Sequence, residues 1–134
     1  MSNQYLASCL CAGVTFSAQG FGDLVANCHC AMCRKFHGAA FATLVEVKGL
    51  KWLSGQDLLK NYRAANGTVR TFCGCCGASI GFRSKDAAMD DMEIAISLFD
   101  QAIPVRVDAE IYTHYKANWC VLLEDVPAYP EGRD

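Results

Sequence analysis

Nowhere does this chain run apolar for the roughly 18 residues that a membrane-spanning helix requires, so no such helix is expected. Nor does one sign of charge prevail. Twelve Lys and Arg stand against fourteen Asp and Glu, for a net charge of −2 and a pI near 5.9. That balance removes the electrostatic footprint by which proteins hold nucleic acid or an anionic membrane surface. Repeats, low-complexity tracts and linkers are absent, and 134 residues are too few for two comfortable cores, so the chain reads as one domain over 1–134. A hydrophobic fraction of 52% argues against disorder. Ahead of Cys9 there is neither the basic n-region nor the apolar h-region of a signal peptide, so "MSNQYLASCLCAG" reads as the start of the domain, and the cytoplasm as its compartment.

Helical patterning is also scarce. "AMCRKFHG" suits one or two turns ended by Gly38, and "SKDAAMDDM" (84–92) a short turn capped by Ser84. Short strand-like runs dominate: 13–21, 23–30, 41–47, 79–83, 92–99, 105–115 and 120–124. "LLKNYRA" and "TVRTF" flank Asn66-Gly67, a dipeptide suited to the positive φ values of a hairpin turn. The fold class expected is mainly β with short helices.

Cysteine is what the chain has in abundance. There are nine, an odd number that a pure disulfide framework does not explain. They fall into Cys9-x-Cys11, Cys28-x-Cys30-x-x-Cys33, Cys73-x-Cys75-Cys76 and a lone Cys120. Zinc takes four tetrahedral ligands, and closely spaced thiolates can grip one ion from a tight turn. Cys9 and Cys11 with Cys73 and Cys76 supply a closed, structural set stapling two distant parts of the chain, with Gly74 and Gly77 shaping the second knuckle. Cys28, Cys30 and Cys33 are left with three thiolates and no obvious fourth, the arrangement of a catalytic zinc with a replaceable ligand. The alternatives are a redox dithiol or buried free cysteines, and Cys75 competes with Cys76 as ligand.

In order, "SCLCAGVTF", "CHCAMCRK" and "FCGCCGAS", with the tail "YKANW…DVPAYP", closely resemble the signature of the glutathione-dependent formaldehyde-activating enzyme family. The resemblance implies small stacked antiparallel β-sheets, a fold related to type B methionine sulfoxide reductases. It also implies two zinc ions per chain, one structural at Cys9, Cys11, Cys73 and Cys76, one catalytic at Cys28, Cys30 and Cys33. The activity implied is that of a carbon–sulfur lyase, with a small-molecule thiol such as glutathione and a carbonyl such as formaldehyde as partners. The thiol would add to the carbonyl to give S-hydroxymethylglutathione. The rival from another class is a non-catalytic zinc-binding module that presents a surface to a partner protein. A third is thiol–disulfide or peroxide chemistry at Cys75 and Cys76 or Cys33. Oligomeric state is left open.

Several neighbours have more than one reading. His37, four residues after Cys33, is a fourth ligand, a proton carrier or an ordinary helix-end histidine. His29, between two ligands, should point away from the metal. Arg34 and Lys35 would offset the net −1 of a tris-thiolate zinc and attract a carboxylate-bearing thiol, or simply form a solvated helix face. His114, Cys120 and Trp52 read as packing residues, and Trp119 either as core or as cleft lining.

Overall fold

In "TLVEVK", Val45 and Val47 are buried while Glu46 and Lys48 are exposed, the two-residue period of a strand covering a core with one face. In the computed structural model, which describes residues 4–133, this segment belongs to strand β4 (Ala42–Lys48). The other strands are β1 (Tyr5–Ser8), β2 (Thr15–Ala18), β3 (Gly20–Cys28), β5 (Lys51–Ser54), β6 (Leu59–Arg63), β7 (Val69–Cys73), β8 (Ser79–Arg83), β9 (Glu93–Ala95) and β10 (Ala109–Ile111). Helix α1 (Ala31–His37) is the one α-helix among the described residues, alongside short 3-10 turns. The protein is therefore mainly β.

Two sheets form. The smaller is ordered β1-β2-β5 and the larger β10-β3-β4-β9-β8-β7-β6. Every named pairing is antiparallel except β10 with β3, which is parallel at one edge. One buried cluster joins the sheets, with Phe16 of β2 packed among Val25, Val45, Ile80 and Ile94 of the large sheet. Phe99 closes it, at 6.1 Å from Phe16 and 5.2 Å from Phe21, edge-on to both rings.

The opposite face of the large sheet carries a cross-strand row. Arg70 pairs with Phe82, Phe82 with Glu93, and Glu93 with Glu46, across β7, β8, β9 and β4. Helix α1 rests against this region: Phe36 meets Phe72 of β7 at 6.4 Å, and the Ser79 hydroxyl donates to the Phe36 carbonyl.

Five expectations change. The run 92–99 pairs only over Glu93–Ala95, because a 3-10 turn at Ile96–Leu98 swings Phe99 into the core. The run 105–115 is a strand only at Ala109–Ile111 and ends where Tyr112 turns to φ 55°. The run 120–124 lies outside the strands, and the main-chain groups of β10 bond instead to the tail around Pro127 and Tyr129. Ser84 caps no helix: the 3-10 turn there is Met89–Asp91, preceded by Ala88 without a side-chain cap. At the hairpin, Gly67 alone takes positive φ, and the Asn66 side chain accepts from the Thr68 amide instead. Strands β1 and β5 had no expected counterpart.

Candidate metal centres

The first cysteine group is built from two turns. Between β1 and β2, the Ala12 amide returns to the Cys9 carbonyl, and the Val14 amide donates to the Cys9 sulfur at 3.3 Å. Between β7 and β8, the Gly77 amide returns to the Cys73 carbonyl, and the Cys75 amide donates to the Cys73 sulfur at 3.4 Å. Each turn needs one residue at positive φ, Ala12 at 62° and Gly77 at 80°. Gly74 is required for another reason: a β-carbon there would sit 2.9 Å from the Leu58 carbonyl oxygen.

These turns bring Cys9, Cys11, Cys73 and Cys76 together, all four sulfurs within 4.8 Å of one another. Cys9 and Cys11 are 3.6 Å apart, and Cys11 and Cys73 3.9 Å. Four thiolates at about 2.3 Å from a tetrahedral ion would be about 3.8 Å apart. The donor set fits a thiophilic metal ion. Cys75 is exposed and stays outside the set; Cys76 completes it. The Cys76 thiol is drawn down to about 6 by the Ala78 amide, then by that of Cys11.

The second group sits where a strand becomes a helix. β3 ends at Cys28, and Cys30 is the N-cap of α1, its sulfur accepting from the Cys33 amide at 3.3 Å. A thiol here takes the role usually given to Ser or Asp. The first helical turn then stacks Cys33 beside Cys30, while Gly38 ends the helix in the left-handed conformation at φ 59°. Cys28, Cys30 and Cys33 again have all sulfurs within 4.8 Å. They compete for protons: contact with Cys30 and then Cys33 pushes the Cys28 thiol up. Cys30 is drawn down to about 2 by Cys28 and then Cys33, with burial opposing and the Arg70 charge assisting. No histidine or carboxylate among the described residues joins either set, so the second offers three donors and the first four. His37 stays outside it; burial, and after it the Arg70 charge, holds its imidazole below the ordinary value.

The second set opens on a cavity of about 1200 Å³, bounded also by Arg70, Phe82, Glu93, Glu46 and Tyr112. Arg34 and Lys35 do not line it; Lys48, Arg70 and Arg133 do, and of these sequence reasoning missed Arg70, which contacts Met32 between Cys30 and Cys33. Arg70 is only 5% exposed, its guanidinium 5.0 Å from the centre of the Phe82 ring. His29 points away from the sulfurs into the protein, where its Nε2 meets Glu110 Oε1 at 2.8 Å. Trp119 is 68% exposed and does not line the cavity, while Trp52 packs on Phe16.

Two cysteine-rich knuckles closing one set, with a third cluster at the strand–helix junction between them in sequence, are matched across the chain by a known family. The profile described as "Glutathione-dependent formaldehyde-activating enzyme" matches residues 4–115. The chain belongs to that family.

A solved structure agrees at the level of fold. A Rhodobacter sphaeroides protein of known crystal structure superposes with a TM-score of 0.57 at 20% identity, covering 92% of this chain and 98% of that one. No curated protein matches the chain. The two cysteine sets are thus carried by a mainly β fold in which, among the described residues, no helix is long and apolar enough to cross a membrane.

Proposed function

We propose that this family member is a zinc-dependent carbon–sulfur lyase that joins a glutathione-type thiol to formaldehyde, and releases it in reverse. The observation that carries the reading is the inequality of the two sulfur sets: four donors closed in turns, three donors opening on a cavity. Cys9, Cys11, Cys73 and Cys76 would hold a structural zinc, and Cys28, Cys30 and Cys33 a catalytic one. A zinc ion at the second set would supply a Lewis-acidic position at which an arriving thiol loses its proton.

The chain's own residues do the rest. Cys30 fixes the start of α1 through its N-cap contact, so the triad keeps its shape while the cavity stays open. The side wall of Ile111, Leu44 and Phe82 gives an apolar bed for a small carbonyl. The sulfur of the thiol attacks the carbonyl carbon, a carbon–sulfur bond forms, and the proton released by the thiol ends on the former carbonyl oxygen. No protein nucleophile enters the balance. The compartment proposed is the cytoplasm, and the partners are small molecules.

A second reading, a zinc-stabilised binding module, has one observation of its own: Trp119 and Val121 stand 68% and 88% exposed on the C-terminal segment. The rate of S-hydroxymethylglutathione formation separates the readings. The lyase reading expects a rate above the spontaneous reaction of the same thiol, abolished in Cys30→Ser. A rate equal to the spontaneous one favours the module.

A further inference from the structure

Arg70 is a buried charge without a carboxylate. Ion pairs among the described residues are His29 with Glu110 and Asp108 with Arg133, and neither involves Arg70. What holds its guanidinium is neutral: the Thr68 hydroxyl at 3.2 Å, the Met32 sulfur at 3.9 Å and the face of Phe82 at 5.0 Å. Of the two acids in its cross-strand row, Glu93 is kept a strand away by Phe82, which pairs with both Arg70 and Glu93, and Glu46 lies one strand further. A buried cation left unpaired is strongly unfavourable, so a site that preserves one holds it for an anion. Met32 lies between Cys30 and Cys33 in sequence, and its contact with Arg70 ties the guanidinium to the sulfur set on the same cavity.

We propose that Arg70 is a positioning and specificity residue, the counter-charge that lets the Cys28–Cys30–Cys33 centre take an anionic fourth ligand in preference to a neutral one. Three thiolates around a divalent ion carry a net −1, which Arg70 brings to zero. A fourth thiolate then raises the local charge only to −1, whereas without Arg70 it would reach −2. In a cavity of low effective dielectric that difference weighs on charged ligands and spares neutral ones. The inference rests on the open centre of the proposed function, and it assigns no proton transfer to Arg70.

The test uses cobalt-loaded protein, titrated by absorption with 2-mercaptoethanol, with glutathione and with imidazole. Arg70→Met keeps an apolar stem against Phe82 and removes the charge; Arg70→Lys keeps the charge. Arg70→Met should weaken 2-mercaptoethanol and glutathione about 10- to 100-fold. Imidazole should change by less than about threefold, since it arrives uncharged. Arg70→Lys should restore most of the thiol affinity. Equal weakening of thiols and imidazole would overturn the proposal, as would unchanged thiol binding. Weakening confined to glutathione would do the same, because Arg70 would then be serving a substrate carboxylate. Should the wild-type centre bind none of the three, the open-position reading fails by itself. Arg70 is then judged by cobalt affinity, which should fall about 10-fold at the second set alone, and an unchanged affinity would reject its role.

Discussion

His29 and Glu110 form a buried hydrogen-bonded pair, Nε2 to Oε1 at 2.8 Å, that links the cysteine-bearing end of β3 to the C-terminal tail. The second Glu110 oxygen accepts from the Leu123 amide at 2.9 Å, so one carboxylate holds both segments. The His29 amide also bonds to the Ile111 carbonyl, aligning the chain between two of the sulfurs. Removing one partner of such a pair costs about 3–5 kcal/mol, because the other is left buried and unmatched. Glu110→Ala should lower the unfolding free energy by about that amount. Glu110→Gln, which can still accept from Leu123, should cost less. Urea denaturation of both variants checks this, and equal small losses would contradict it.

The two sulfur sets should differ in what their loss does. Structural zinc contributes roughly 10–16 kcal/mol of apparent binding free energy, more than the whole stability of a typical domain. Cys9→Ser and Cys73→Ser should therefore give unfolded or insoluble protein, since Cys9 and Cys73 lie in the shared core. Cys30→Ser should remain folded with one zinc per chain in place of two. Elemental analysis with circular dichroism reads both, and equal damage from all three substitutions would contradict the division.

The sulfur sets were legible in the sequence because each half-site is local: two or three cysteines in one turn announce themselves by spacing. Gly38 and the helix it ends were legible for the same reason. Arg70 was not, because it stands 38 residues from Met32 and reaches the second set only through the pairing of β7 with the rest of the sheet. Arg34 and Lys35, adjacent to the cluster in sequence, carried the expectation of a nearby cation, and neither lines the cavity. The stretches 105–115 and 120–124 have apolar runs that suggest strands, but a strand exists only where a neighbour lends its main chain. There β3 pairs three residues and the tail covers much of the remainder. Val121, apolar in sequence, ends up exposed.

Ala12 occupies the left-handed region at φ 62°, where a β-carbon is unfavourable by about 1–2 kcal/mol. The equivalent place in the other knuckle is Gly77. Ala12→Gly should raise stability by about 0.5–1 kcal/mol after the added entropy of the unfolded chain. A higher melting temperature of the zinc-loaded protein is expected, and a lower one would contradict the account of the turn.

His37 gives a pH dependence with a definite sign. Burial, with Arg70 adding to it, holds its folded pKa below 6.5. The unfolded chain then binds more protons, so the stability associated with neutral His37 is present above 6.5 and is lost as pH falls through the folded value. Between about pH 7.5 and pH 5.5, wild type should lose more stability than His37→Gln. Thiolate protonation affects both proteins alike, so the difference isolates His37. Parallel profiles would contradict it.

Absorption of the cobalt-substituted wild-type protein during addition of glutathione tests the open second centre most directly. If Cys28, Cys30 and Cys33 leave one position free, sulfur-to-cobalt charge-transfer absorption should grow to saturation with one glutathione per chain and release about one proton near neutral pH. His37→Ala should leave that response intact, as His37 lies outside the sulfur set, and Cys30→Ser should abolish it. A spectrum unmoved by glutathione at millimolar concentration would contradict the account.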